Sequence, residues 1–317
     1  MLDLRPDAGA DRVALVRDGS VTYLPARRVE LVAEVASGGL CRSIRRSASG
    51  ELFVMAPGIG PRVLRSAEEG LRWSSGKFPL DLPPFESADP GSEPWLGAFA
   101  ILRDDTLLAL FMVDDHLPTR RGVIGRSDDH GRTWSLSPLD PALPPDTRMQ
   151  AANSDLLQLA DGSILLTVDV FHAPGGDPAA DPSALPVELQ GVFIYALRSL
   201  DGGRTWVDER PVTSFLQCSA DLARLADGTL ILQYLHRYPD DLAHTGIRAR
   251  VSDDDGAAWR EETYVISQGE GEDPNTGSSY PGTIAGGTHG VITVCANTVA
   301  GRTRLEAVHW RPEAAAP

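Results

Sequence analysis

Arg126-Ser-Asp-Asp-His-Gly-Arg-Thr-Trp134 and Arg198-Ser-Leu-Asp-Gly-Gly-Arg-Thr-Trp206 share the frame Ser-x-Asp-x-Gly-x-Thr-Trp, and that frame decides the fold. Two further copies are eroded. Ser252, Asp254, Gly256 and Trp259 keep the frame with Ala258 for Thr, and Ser66, Gly70 and Trp73 keep it with Glu68 for Asp and Arg72 for Thr. Ser and Asp side chains can bond the backbone of a tight turn, Gly can take φ > 0 there, and Trp can pack back on a sheet. The frame therefore reads as a clip between two strands. Four copies in order mark a repeat architecture.

Upstream of each clip stands an apolar strand, a turn and a second apolar strand. The instances cover residues 41–56, 95–113, 154–170 and 219–235, and a fifth at 279–297 ends without a clip. Asp161-Gly162 and Asp227-Gly228 are hairpin turns between β-rich runs. Each unit reads strand, turn, strand, loop, strand, clip, strand, which is a four-stranded antiparallel propeller blade. The runs at 13–17, 20–24 and 29–35 supply strand for one more blade. The expectation is an all-β, six-bladed β-propeller, with five blades as the alternative. It forms one domain over residues 1–317, with 1–40 closing the ring and 41–310 holding five recognisable repeats. Two connectors, 77–94 and 173–190, lack strand character; loops of that length are commonly functional or disordered.

Composition narrows the function classes. A formal net charge of −15 over 317 residues excludes a nucleic-acid partner, since phosphate binding needs clustered Lys and Arg. A local arginine group can still attract a small anion. Cys41, Cys218 and Cys295 are too scattered for a disulfide framework and read as buried apolar residues. No apolar run is long enough for a membrane helix and no leader is visible, so the default expectation is cytoplasmic, without a membrane partner.

Asp-box turns after strand-turn-strand units resemble the sialidase (neuraminidase) superfamily over most of residues 41–310. The resemblance implies an arginine triad for a substrate carboxylate, a Tyr nucleophile polarised by a Glu, and an Asp acid/base. Arg42 matches the first arginine and Arg237 lies near the second, while Arg302 and Arg148 are possibilities for the third. Tyr280 stands at the nucleophile position. The start of the fourth unit reads Gln217, Cys218 and Ser219 where the Glu belongs, with Asp221 as a nearby substitute. The loop at 56–62, where the acid/base would stand, holds no carboxylate.

Independently of the resemblance, His116, His172 and His236 end the second strands of three successive units. They are solvated loop residues, acid/base groups titrating near pH ~6.5, or metal ligands. Asp114 and Asp115 are candidates for general-acid work or a solvated pair. Glu93 and Asn153 line the channel or cap a blade edge. The expected function is an exo-acting glycoside hydrolase on a terminal acidic sugar, with no cofactor and no metal. Its catalytic set is Tyr280, Asp114, Asp115, His116 and His236, and its substrate-binding set is Arg42, Arg237, His172, Asn153 and Asp221. The alternatives are a lyase acting on a uronate by His/Tyr proton transfer and a non-catalytic glycan-binding propeller.

Overall fold

The computed structural model describes residues 11–32, 43–46, 50–55, 63–76, 95–113, 121–129, 131–141, 143, 147–172, 191–213, 216–237, 245–268, 281–287, 290–299 and 302–314. These residues hold strands and turns and no α-helix. The N-terminal segment gives β1 (Arg12–Arg17), β2 (Ser20–Pro25) and β3 (Arg27–Val32). Four groups of four follow. The first is β4 (Ser43–Arg46), β5 (Leu52–Met55), β6 (Val63–Ser66) and β7 (Ser74–Gly76). The second is β8 (Trp95–Ile101), β9 (Leu107–Val113), β10 (Arg121–Ser127) and β11 (Ser135–Leu139). The third is β12 (Thr147–Gln158), β13 (Ile164–His172), β14 (Val192–Ser199) and β15 (Val207–Pro211). The fourth is β16 (Gln217–Arg224), β17 (Leu230–His236), β18 (Gly246–Ser252) and β19 (Thr263–Val265). Last come β20 (Gly282–Ala285), β21 (Val291–Val299) and β22 (Arg302–Trp310).

The chain divides into two compact units, Pro79–Ala220 and Met1–Phe78 with Asp221–Pro317. In Pro79–Ala220 the groups β8–β11 and β12–β15 are each a four-stranded antiparallel sheet in simple meander order. Their apolar faces share one core that includes Leu108, Leu110, Ile124, Leu156, Leu166 and Leu197. β13 is buried on both faces from Ile164 to Val170, which suits its mostly apolar residues. The hairpin after β12 turns at Asp161-Gly162. Gly162 takes φ 91°, and the Asp161 carboxylate accepts the Ser163 N–H at 2.9 Å. Asp227 and Gly228, at φ 97°, repeat this in the hairpin before β17.

In the other unit β4–β7 form a four-stranded sheet, and Ile44, Leu52 and Val54 pack with Ile292, Val294 and Leu305 of β21 and β22. The N-terminal strands correct the expected blade count. They do not build a blade of their own. The β1–β2 hairpin, turned at Asp18 (φ 49°) and Gly19 (φ 72°), pairs with β19 and widens its sheet to six strands. β3 pairs with β22 and becomes the fourth strand of the β20–β22 sheet. Instead of six or five four-stranded blades, the described residues show four four-stranded sheets and one of six strands. The reason is edge satisfaction: the last repeat lacks a clip and hence a fourth strand, and β3 covers that open edge.

The repeated turns join the third and fourth strands of their sheets, as the shared frame requires. Ser127 Oγ accepts the Gly131 N–H at 2.8 Å, Asp129 accepts the Thr133 N–H at 2.8 Å and its hydroxyl at 2.7 Å, and Trp134 Nε1 donates to the Gly131 carbonyl at 3.1 Å. Ser199, Asp201, Gly203 and Thr205 repeat the Ser and Asp bonds. Where Ala258 replaces Thr, the backbone bond to Asp254 survives at 2.8 Å. Where Glu68 and Arg72 replace Asp and Thr, they form an ion pair at 3.6 Å.

Candidate functional site

In a blade the first strand is innermost, so polar side chains buried there need a specific reason. Two such residues meet in the unit formed by Met1–Phe78 and Asp221–Pro317. Asp221 on β16 is 1 % exposed, and Arg45 on β4 places Nη1 3.9 Å from its Oδ1. Arg45 also donates to the Ile44 carbonyl at 2.8 Å, which fixes the guanidinium beside the strand. A buried carboxylate is costly unless a cation stands close, and Arg45 meets that need. Arg45 keeps 21 % of its side chain exposed, so the pair is not sealed from solvent.

Arg237 follows β17 and is buried, and His236 before it is half-buried. Alternation puts Gln233, Leu235 and Arg237 on one face of the chain. That face looks toward β21, because Gln233 Nε2 donates to Thr293 Oγ1 at 2.5 Å, and Trp310 Nε1 reaches the same oxygen at 2.9 Å. On the opposite face Tyr234 lies across from Arg248 of β18. Arg248 donates to the Ser267 carbonyl at 3.0 Å, and burial lowers its guanidinium to about 10 against an upward pull from Tyr234. Burial likewise pushes the Tyr234 phenol up, opposed by Arg248.

Asn297, in the second half of β21, belongs to a different arrangement. Its amide donates to Glu306 Oε1 at 2.9 Å, and Arg28 Nη1 donates to the same oxygen at 2.7 Å. Arg28 also donates to the Ile266 carbonyl at 2.7 Å. This network locks β3 onto β22 and is structural.

In the Pro79–Ala220 unit, Asn153 sits in the irregular stretch of β12 between Gln150 and Asp155, and His172 is the last residue of β13. Asp169, fully buried on β13, accepts the Ser219 N–H at 2.9 and 3.1 Å. Ser219 is held at φ 59°, a left-handed conformation that a non-glycine residue adopts at a cost.

Of the sequence-derived candidates, Asp221 thus lies on an inner strand, His236 ends the second strand of the same unit and Arg237 follows it, and Asp221 stands 3.9 Å from Arg45. Asn153 and His172 are placed by their strands alone. Arg42, Asp114, Asp115, His116 and Tyr280 lie outside the described residues, as does Glu93. Arg45, Arg248 and Asp169 were not singled out from sequence. An arginine or aspartate inside an otherwise apolar strand was the available signal. Among the described residues no three His, Cys, Asp or Glu side chains group as a metal site.

No family model matches the chain, and no curated protein matches its sequence. Solved structures do. A protein of unknown function from Dyadobacter fermentans is 19 % identical with a TM-score of 0.57, over 85 % of this chain and 76 % of that one. A thermostable family-43 glycoside hydrolase is 10 % identical with a TM-score of 0.56, over 88 % and 95 %. An endo-arabinase from Bacteroides thetaiotaomicron is 14 % identical with a TM-score of 0.54, over 90 % and 99 %. The fold shared with these structures is an all-β propeller of antiparallel four-stranded blades. Sialidases are also among the matches, at lower TM-scores, as with that of Trypanosoma rangeli at 0.45. At such identities the likeness concerns the propeller and its antiparallel four-stranded blades, and the site rests on its own geometry.

Proposed function

We propose that this propeller is a carbohydrate-active enzyme that hydrolyses the glycosidic bond of a terminal, carboxylated sugar. The observation that carries the reading is the Arg45–Asp221 pair on inner strands, with Arg237 buried just after the neighbouring β17 of the same unit. Glycoside hydrolysis passes through an oxocarbenium-like state, which a fixed carboxylate stabilises. Asp221, buried on an inner strand beside Arg45, is suited to that role. A guanidinium fork matches the geometry of a substrate carboxylate, and Arg237, with Arg42, takes it. Tyr280 serves as nucleophile or proton-transfer group. His236, which ends β17 of the same unit, carries the proton to the leaving oxygen. The hydrolase names among the similar structures support the general class.

The test is a panel of fluorogenic sialoside, uronide and arabinofuranoside substrates with wild type, Asp221→Asn and Arg237→Gln. Asp221→Asn is expected to lower kcat about 10²–10⁴-fold. Arg237→Gln is expected to raise KM for carboxylated substrates and spare the arabinofuranoside. Turnover of the arabinofuranoside alone removes the acidic-sugar assignment. No turnover of any glycoside removes the enzyme.

A further inference from the structure

A second site lies at the opposite end of the last sheet from Asn297. A cavity of about 220 Å³ opens where β2 turns into β3, bounded by Pro25, Arg27, Leu71, His309, Trp310 and Arg311. Arg27 and His309 are direct cross-strand partners, so their side chains leave the same face of the sheet. His309 is 6 % exposed and lies against the first clip: a methyl group on Gly70 would stand 3.3 Å from its Cε1. Arg27 and Arg311 are exposed at the rim. Three basic side chains thus border one small cavity in a chain of net charge −15, while Pro25, Leu71 and Trp310 give it apolar walls.

We propose that this cavity binds a small organic carboxylate. Its apolar body rests on Pro25 and Leu71, and its carboxylate meets Arg27 and Arg311 with His309 beneath. The volume is below the roughly 300–1,000 Å³ of pockets for larger ligands, so the ligand is a single ring or a short branched acid. Guanidinium forks favour a planar carboxylate. The walls come from the β2–β3 corner, the first clip and the end of β22, so an occupant ties the N-terminal strands to the C-terminal one.

The probe is 4-fluorobenzoate, titrated into the full chain and followed by fluorine NMR, with thermal melting in parallel. Saturable binding with Kd on the order of 1 mM and a raised Tm are expected. The Arg27→Gln/Arg311→Gln double variant, altered only at exposed positions, should bind at least about tenfold more weakly. Arg237→Gln should bind as wild type does, which separates this cavity from the carboxylate site proposed above. Equal affinity for 4-fluorobenzyl alcohol would overturn the carboxylate, and equal affinity for inorganic phosphate would overturn the apolar component. Absence of saturation, unchanged affinity in the double variant, or loss of binding in Arg237→Gln would each refute the site.

Discussion

Replacing Gly203 with alanine separates the two reasons for the glycine in the repeated turns. Gly203 takes φ 87°, and an added Cβ would stand 2.6 and 2.8 Å from Leu108 Cδ2 and Cδ1. Gly162 has the same handedness, φ 91°, but nothing within 4 Å of its would-be Cβ. Gly162→Ala therefore carries only the left-handed backbone penalty, roughly 1–2 kcal/mol. Gly203→Ala adds displacement of Leu108, a fully buried core residue, and overpacking of this kind costs about 1–3 kcal/mol. The expected total is roughly 2–5 kcal/mol. Leu108→Ala alone costs about 2–5 kcal/mol, but it also removes the atoms that clash. Gly203→Ala in that background should fall back to the Gly162→Ala value, giving a favourable coupling of about 1–3 kcal/mol. Urea unfolding followed by tryptophan fluorescence measures each corner of the cycle. Equal costs for the two single glycine changes, or no coupling with Leu108→Ala, would refute the account of the turn as a packed clip.

Acid should weaken the same turns. The Thr133 N–H, then its hydroxyl, holds Asp129 down at about 2; at Asp201 burial acts upward but the Thr205 and Ser199 bonds prevail, again giving about 2. Both values lie below the unfolded ~3.9. Their contribution is thus complete above pH ~4 and disappears as pH falls through 2. Melting curves from pH 5 to 2 should therefore fall more steeply for wild type than for Asp129→Asn/Asp201→Asn, and parallel curves would count against the bonds. Arg28→Met leaves Glu306 buried without its strongest cation, an expected loss of about 3–5 kcal/mol by urea unfolding, most of which Glu306→Leu in the same chain should restore. Burial pushes the Cys295 thiol up to about 12, so peptide mapping after iodoacetamide at pH 8 should find it unmodified until the chain is unfolded.

The blades were legible because their signals are local. Ser, Asp and Gly at fixed offsets specify bonds spanning two to four residues, and Asp-Gly between apolar runs specifies a hairpin without reference to the rest of the chain. The N-terminal strands were legible as strands but not in their pairing. β1 joins β19, with Leu15 opposite Tyr264, and β3 joins β22, with Arg27 opposite His309. Both partner strands lie more than 200 residues along the chain, so no hairpin-like local pattern states that choice. What does state it is the clip missing from the last repeat, which leaves an edge with no local partner, and residues such as Arg28 whose buried charge makes sense only beside Glu306.

The site was legible to a different degree. Asp221 stands near a position that the sialidase resemblance reserves for Glu, and in the structure its buried carboxyl group lies 3.9 Å from Arg45. Family spacing points to Arg42, whereas the strand itself carries a simpler signal for Arg45. In Ser-Ile-Arg-Arg, residues 43–46, alternation sends Ile44 into the core with Val54, so Arg45 must leave by the other face. Arg46, on the Ile44 side, reaches the edge and pairs with Glu69 at 2.6 Å. Only Arg45 is left to meet an anion on the far side of its strand, and Asp221 is that anion. Alternation of this kind orients a side chain, but it cannot name the partner, which comes from a strand some 170 residues away. A pair assembled from two inner strands is therefore half written in each of them.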